Sequence, residues 1–121
     1  MARKYKTKNI GKISKEVTNQ FKINQYKDFY IEQSLGLPYH TSKHANDFNS
    51  VDHYNEAISN IDKVIKKPYH VEYDKKRNSL KYYGKTEQYI CVVVNILERH
   101  AYVSTMYPVN KKKIDKLKKK E

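Results

Sequence analysis

The period of the hydrophobic pattern changes at Pro68, and that change limits what the two halves of the chain can form. Before it, Tyr54, Ala57, Ile58, Ile61, Val64 and Ile65 recur at three- and four-residue spacing, which puts them on one face of a helix. Ser50 or Asn49 can cap that helix, and Lys66–Lys67–Pro68 bring cations and a stop to its other end. After Pro68 the period is two. "YHVEYD" alternates, "DKKRN" turns the chain, and "SLKYYG" alternates again, which predicts a hairpin. "QYICVVVNIL" is nearly continuous in apolar residues, as a central strand buried on both faces requires, and "AYVSTMYP" ends at Pro108 as a further strand. The expected fold is α+β: N-terminal helices packed on one face of a four-stranded antiparallel meander spanning residues near 69 to 107.

The rest of the chain carries weaker signals. Residues 1–12 offer almost nothing to bury and read as a flexible basic arm. Residues 13–27 fit a helical stripe through Ile13 and Val17 or a strand edge through Phe21 and Ile23, and Phe29 to Gln33 reads as a short strand. Pro38 suits the first turn of a helix, so "PYHTSKHAN" predicts two helical turns that depend on docking. Residues 110–121 hold only Ile114 and Leu117 as large apolar side chains and read as a solvated basic tail or a nascent helix, with residues 13–109 as a single domain.

Charge narrows the partners. The chain has 25 Lys and Arg against 13 Asp and Glu, a net charge of +12, and such a field attracts phosphates and acidic surfaces. Only Arg3, Arg77 and Arg99 are arginines, a Lys bias that an AT-rich genome would also produce. Cys91 is the lone cysteine and lies in the apolar run, so it reads as a packing thiol, with neither a disulfide nor a Cys-based zinc site. No secretory hydrophobic region follows Met1 and no run is long enough to span a bilayer, which predicts a cytoplasmic protein without a membrane partner.

Three groupings could carry chemistry. His40 and His44 stand one helical turn apart with Lys43 beside the second. As metal ligands they would need His53, His70 or His100 to complete a set, and H-x-x-x-H lacks the glutamate of a zincin motif. As surface histidines they need no partner; as proton carriers beside a cation they suit catalysis. In "YVSTMYP", Ser104 and Met106 alternate with Val103 and Thr105, so one set faces out, and a strand hydroxyl can bind a phosphate oxygen or remain an ordinary half-exposed residue. Lys81, Tyr83 and Lys85, with Tyr73 and Tyr89 nearby, interleave cations with rings that can stack on unpaired bases. Arg99 and Tyr107 extend this nucleic-acid-binding set.

The order of these pieces, a basic–His helix after a short strand, a helix running into proline, "Y-D-x-x-x-x-x-L-x-Y-Y", "VVV" and "S-T-M-Y-P", resembles the phage-associated nuclease-like families of the barnase–EndoU–colicin–RelE fold group. The resemblance covers residues 28 to 108. It puts the basic–His pair of those families on Lys43 and His44, the helix-ending proline on Pro68, and the final-strand hydroxyl on Ser104 or Thr105. Two departures stand out: Lys67–Pro68–Tyr69 replaces the common N-P-D, and Lys43 stands where Arg is frequent, offering a point charge but no bidentate fork. The resemblance implies metal-independent RNA cleavage with no cofactor, in which His44 is base or acid, His40 its partner or orienter, Lys43 and Lys85 phosphate cations, and Ser104 or Thr105 a hydroxyl donor. His70 and His100 are reserves. It also implies a phage or toxin-like effector acting in a host cytoplasm on RNA or single-stranded nucleic acid, with a protein inhibitor or host complex as a further partner. The alternative is a non-enzymatic basic protein that binds nucleic acid or an acidic host complex and inhibits it.

Overall fold

The computed structural model describes residues 7–23, 28–34, 37 and 42–119. In chain order these form β1 (Thr7–Lys12), α1 (Lys15–Gln20), β2 (Tyr30–Ser34), a 3-10 helix (Ser42–Asp47), α2 (Val51–Ser59), α3 (Ile61–Lys66), β3 (His70–Asp74), β4 (Ser79–Lys85), β5 (Tyr89–Ile96), β6 (Ala101–Pro108) and α4 (Lys111–Lys119). The strands make one sheet in the order β1-β2-β6-β5-β4-β3, antiparallel except for the parallel pair β2–β6.

The expected four-stranded sheet is therefore corrected to six. β3 to β6 follow each other as hairpins, but β2 adds to β6 and β1 adds to β2. β1 comes from the stretch read as an arm. Most of its side chains are exposed, so it is a strand by virtue of its backbone pairing and leaves no hydrophobic pattern to read. As the edge of the sheet it carries Lys8 and Lys12, charges that discourage a further strand from adding. Gly11 sits at φ +129 where the β1–β2 register slips, a backbone angle that favours glycine.

Helices pack on both faces of the sheet, and not on one as expected. On the first face, Ile13, Val17, Tyr54, Ala57, Ile61, Val64 and Ile65 from α1 to α3 and their flanks meet Ile31, Leu80, Tyr82, Ile90, Val92, Val94, Val103 and Met106 of the strands. On the second face α4 lays Ile114 and Leu117, 2% and 3% exposed, over Tyr83 and Cys91, with Tyr89, Val93 and Tyr107 around them. Of the two readings of this stretch, solvated tail or nascent helix, the helix holds, but it is docked and not solvated. Two apolar side chains three residues apart suffice because both land on one apolar patch.

Local chemistry explains the helix limits. Ser14 and Ser50 cap α1 and α2, accepting from the Val17 and His53 amides at 3.3 and 3.1 Å. The predicted helix from Tyr54 to Ile65 buries the expected face but divides at Asn60. Its side-chain amide donates to the Glu56 carbonyl at 2.7 Å, competing with the helical ladder. The predicted helix at "PYHTSKHAN" is a 3-10 helix from Ser42 to Asp47, with residues 38–41 outside the described set.

Gly84 sets the spacing of α3 on β4. A Cβ there would stand 2.8 Å from Val64 Cγ1. Val64 is buried and β-branched, so it has no free rotamer to escape into. Gly84→Ala is expected to destabilise the protein by about 1–3 kcal/mol through overpacking, measured by urea unfolding.

Candidate active site

Three elements converge where the β4–β5 turn meets the C-terminal end of β6. Ala45 and Phe48 sink into the core of the first face, and this docks the 3-10 helix against β6. Asp47, the last residue of that helix, then lines a cleft of about 420 Å³ with Gln88, Tyr107, Pro108, Val109 and Asn110. Gln88 ties the cleft to α2. Its Oε1 accepts from the Asn49 amide at 2.7 Å and lies 2.9 Å from His53 Nδ1. A backbone N–H can only donate, so this atom is the carbonyl oxygen, and the Nδ1 that faces it carries the proton. In neutral His53 the lone pair is thereby left on Nε2.

The second face places several predicted residues together. Lys81, Val93 and Thr105 lie in register across β4, β5 and β6, and Tyr83, Cys91 and Tyr107 form the adjacent row. The expected alternation along β6 is corrected by a bulge. Val94 pairs with Val103 but Val93 pairs with Thr105, leaving Ser104 as the extra residue. The alternation restarts out of phase, so Met106 joins Val103 in the core while Ser104 and Thr105 are both half-buried outside it. Among the described residues Thr105 Oγ1 has no hydrogen-bond partner although it is buried.

Tyr83 is not a stacking platform. It is 1% exposed beneath α4, and its hydroxyl donates to Glu72 Oε1 at 2.8 Å. Lys85, at the end of β4, is exposed, with Nζ 5.2 Å from the centre of the Tyr89 ring. Arg99 is exposed in the β5–β6 turn, the full length of β5 away from Lys85. Of the reserves, His70 opens β3 with its ring 6.2 Å from that of Tyr83, and His100 Nε2 stands 3.6 Å from Glu32 Oε2. His40 lies outside the described residues, as do the side chains of Lys43 and His44, whose backbone forms the 3-10 helix. The structure thus gathers Lys81, Thr105 and Tyr107 on one face, and brings the Lys43–His44 helix and Lys85 to the same end of the sheet. Among the described residues no three His, Cys, Asp or Glu side chains cluster as a metal-holding group.

Burial controls ionisation here. It pushes the phenols of Tyr82, Tyr83 and Tyr107 well above the ordinary tyrosine value, the Cys91 thiol and Glu72 carboxylate adding to the rise at Tyr83 and Tyr107. It also pushes the Cys91 thiol up, against hydrogen bonds to Tyr107 and Tyr83 that pull the other way. The unfolded chain gives up these phenolic protons near pH 10, below where the folded chain does. The folded state holds more protons in that window, so its stability is fully present below about pH 10 and falls as pH rises above it. Urea midpoints measured between neutral and strongly alkaline pH are expected to drop with Tyr ionisation, and ultraviolet titration should show a fraction of the phenols ionising only on unfolding.

A family model described as phage-Barnase-EndoU-ColicinE5/D-RelE like nuclease3 matches residues 8–116. The chain belongs to this family. The match takes in nearly all of β1, the whole of α1 and most of α4, well beyond the 28–108 stretch whose motifs carry the resemblance in the sequence. No curated protein and no solved structure matches the chain. In this nuclease-like protein the residues that sequence reasoning missed are Asp47, Gln88 and Asn110 on the cleft, with His53 behind Gln88. Only His53 carried a signal, as one of the histidines that could complete a metal set, because Gln88 and Asn110 are ordinary turn residues until the fold brings them together. Among the described residues no helix is long and apolar enough to cross a membrane.

Proposed function

We propose that the chain is a metal-independent endoribonuclease of the toxin-like kind, cutting RNA by attack of a ribose 2′-OH on the adjacent phosphorus. The bond from the 2′-oxygen to phosphorus forms and the bond from phosphorus to the 5′-oxygen breaks, leaving a 2′,3′-cyclic phosphate and a 5′-hydroxyl. One proton leaves the 2′-OH and another reaches the departing 5′-oxygen, so the site needs a base, an acid and groups that oppose charge growing on the phosphate. His44 takes one proton role, with His40 as partner or orienter. Lys43 and Lys85 supply cations, and of the two candidate hydroxyls Ser104 supplies the one on β6, since that of Thr105 is buried.

The observation that carries this reading is the docking of the Lys43–His44 helix on β6 from the first face, beside the cleft at the end of that strand. Position 44 stands one 3-10 turn before Asp47, which lines the cleft. The net charge of +12 favours a polyanionic substrate.

The test is incubation of the protein in EDTA with an RNA strand and with the same strand fully 2′-O-methylated. Cleavage of the first alone is expected. Binding of RNA without cleavage would leave the chain a nucleic-acid-binding member of its family, and cleavage that requires added metal would remove the proposed chemistry.

A further inference from the structure

Tyr69 is one of the few large rings held at the surface, 44% exposed. It is not on a loose segment. Its amide donates to the Tyr83 carbonyl at 2.7 Å, which pins it to β4 one residue before β3 begins. Its ring lies 6.0 Å from that of Tyr89 at a tilt of 56°, and Lys85 Nζ stands 5.2 Å from the centre of the Tyr89 ring. The close approach at Gly84 that seats Val64 on β4 also brings α3 alongside, so exposed Lys63 and Lys67 share one cleft of about 270 Å³ with Tyr69 and Lys85. Val64, Asn60, Thr86, Glu56 and Glu87 complete its wall. Glu56 accepts from the Asn60 side chain at 2.9 Å.

We infer that this cleft is a subsite for one unpaired nucleotide of a single-stranded nucleic acid. Tyr69 is the stacking platform, since every base presents a π-face and tyrosine offers a rigid one. Tyr89 braces that ring and holds the Lys85 ammonium by cation–π attraction. Lys85, Lys63 and Lys67 neutralise the phosphates on either side of the base. Glu87, on the turn, limits how much negative charge the cleft accepts, so the subsite takes one nucleotide and not a run of them. Lys85 and Tyr89 flank Gln88 of the reaction cleft, so a strand seated here continues to the end of β6. The inference rests on the ribonuclease reading only for what the strand is doing there; binding itself needs no catalysis.

The experiment uses the full chain and a fluorescent single-stranded DNA oligonucleotide, which has no 2′-OH and so stays uncut by the proposed reaction. Tyr69→Ala is expected to weaken binding by at least about fivefold, as loss of one stacked base does, with Tyr69→Phe within about twofold of wild type. Lys85→Ala should lower the slope of log K against log salt by about 0.7, one phosphate's worth on a single strand. Glu87→Gln should tighten binding. The subsite is overturned if Tyr69→Ala binds within twofold of wild type, or if Tyr69→Phe loses as much as Tyr69→Ala. Should Tyr69→Ala fail to fold, Lys67→Glu and Lys85→Glu together decide: unchanged affinity at low salt overturns the site. Loss of RNA cleavage with Tyr69-dependent DNA binding intact would count against the catalytic reading alone.

Discussion

His44→Ala is expected to lower the rate of RNA cleavage in EDTA by about 10²- to 10⁴-fold while the melting temperature stays nearly unchanged. The size follows from removing a proton carrier from a transition state in which one proton must leave the 2′-oxygen and another must reach the 5′-oxygen. The small effect on folding follows from how the helix is held. Among the described side chains of this segment Ala45 and Phe48 pack against the core, which anchors the helix without calling on His44, and Phe48 also meets Tyr54 edge-on at 5.6 Å. Lys43→Ala should slow the reaction less, because a lysine ammonium steadies the phosphate as a point charge and Lys85 contributes another. Initial rates on a defined RNA, set beside thermal unfolding of each variant, check both. An unchanged rate in His44→Ala would remove the residue from the mechanism, and unfolding would make it a core residue.

The second large effect concerns α4. Leu117→Ala is expected to cost about 2–5 kcal/mol, a large part of the about 5–15 kcal/mol that holds a domain of this size together. Leu117 and Ile114 are the buried ones among the described side chains of α4, and the patch beneath them, Tyr83 and Cys91, is among the most buried on the second face. Truncation leaves a gap over that patch, and α4 then frays at lower free energy than global unfolding. The thiol reports it. Cys91 in the wild type is buried with its ionisation suppressed, so alkylation at neutral pH is slow. In Leu117→Ala alkylation should accelerate under conditions where the sheet core still resists urea. A loss below about 0.5 kcal/mol, with Cys91 still inert, would mean that α4 is not a structural layer.

Much of this molecule is written in its side-chain periodicity. The stripe from Tyr54 to Ile65, the hairpin around Lys75–Asn78 and the doubly buried β5 are recovered with their faces, because each buries a large share of its side chains. What the periodicity hides is structure made by backbone pairing or by few contacts. β1 half-buries only Thr7 and Ile10, three residues apart, so no alternation distinguishes Thr7–Lys12 from an arm. α4 needs only Ile114 and Leu117, too few for a helical period to emerge among lysines. The bulge at Ser104 has no sequence mark, and it shifts the partners of Thr105 and Met106 by one residue, to Val93 and Val92.

The site follows the same logic. Lys85 and the Lys43–His44 segment stand out as candidates because cations, rings and histidines cluster along the chain. Tyr83 misleads, since its alternation says which strand it is on but not that α4 covers it. Its aromatic role passes in the proposed subsite to Tyr69, which opens "YHVEYD", a stretch whose alternation marks a strand and not an exposed ring. Gln88 and Asn110 become notable only when the β4–β5 turn, the 3-10 helix and the end of β6 meet.

The most direct measurement is cleavage, in EDTA, of a DNA strand carrying one ribonucleotide, with chemical analysis of the ends produced. A single cut immediately 3′ of the ribonucleotide is expected, with a 2′,3′-cyclic phosphate on one fragment and a 5′-hydroxyl on the other. Cuts at deoxynucleotide positions, or fragments ending in 5′-phosphate and 3′-hydroxyl, would contradict it.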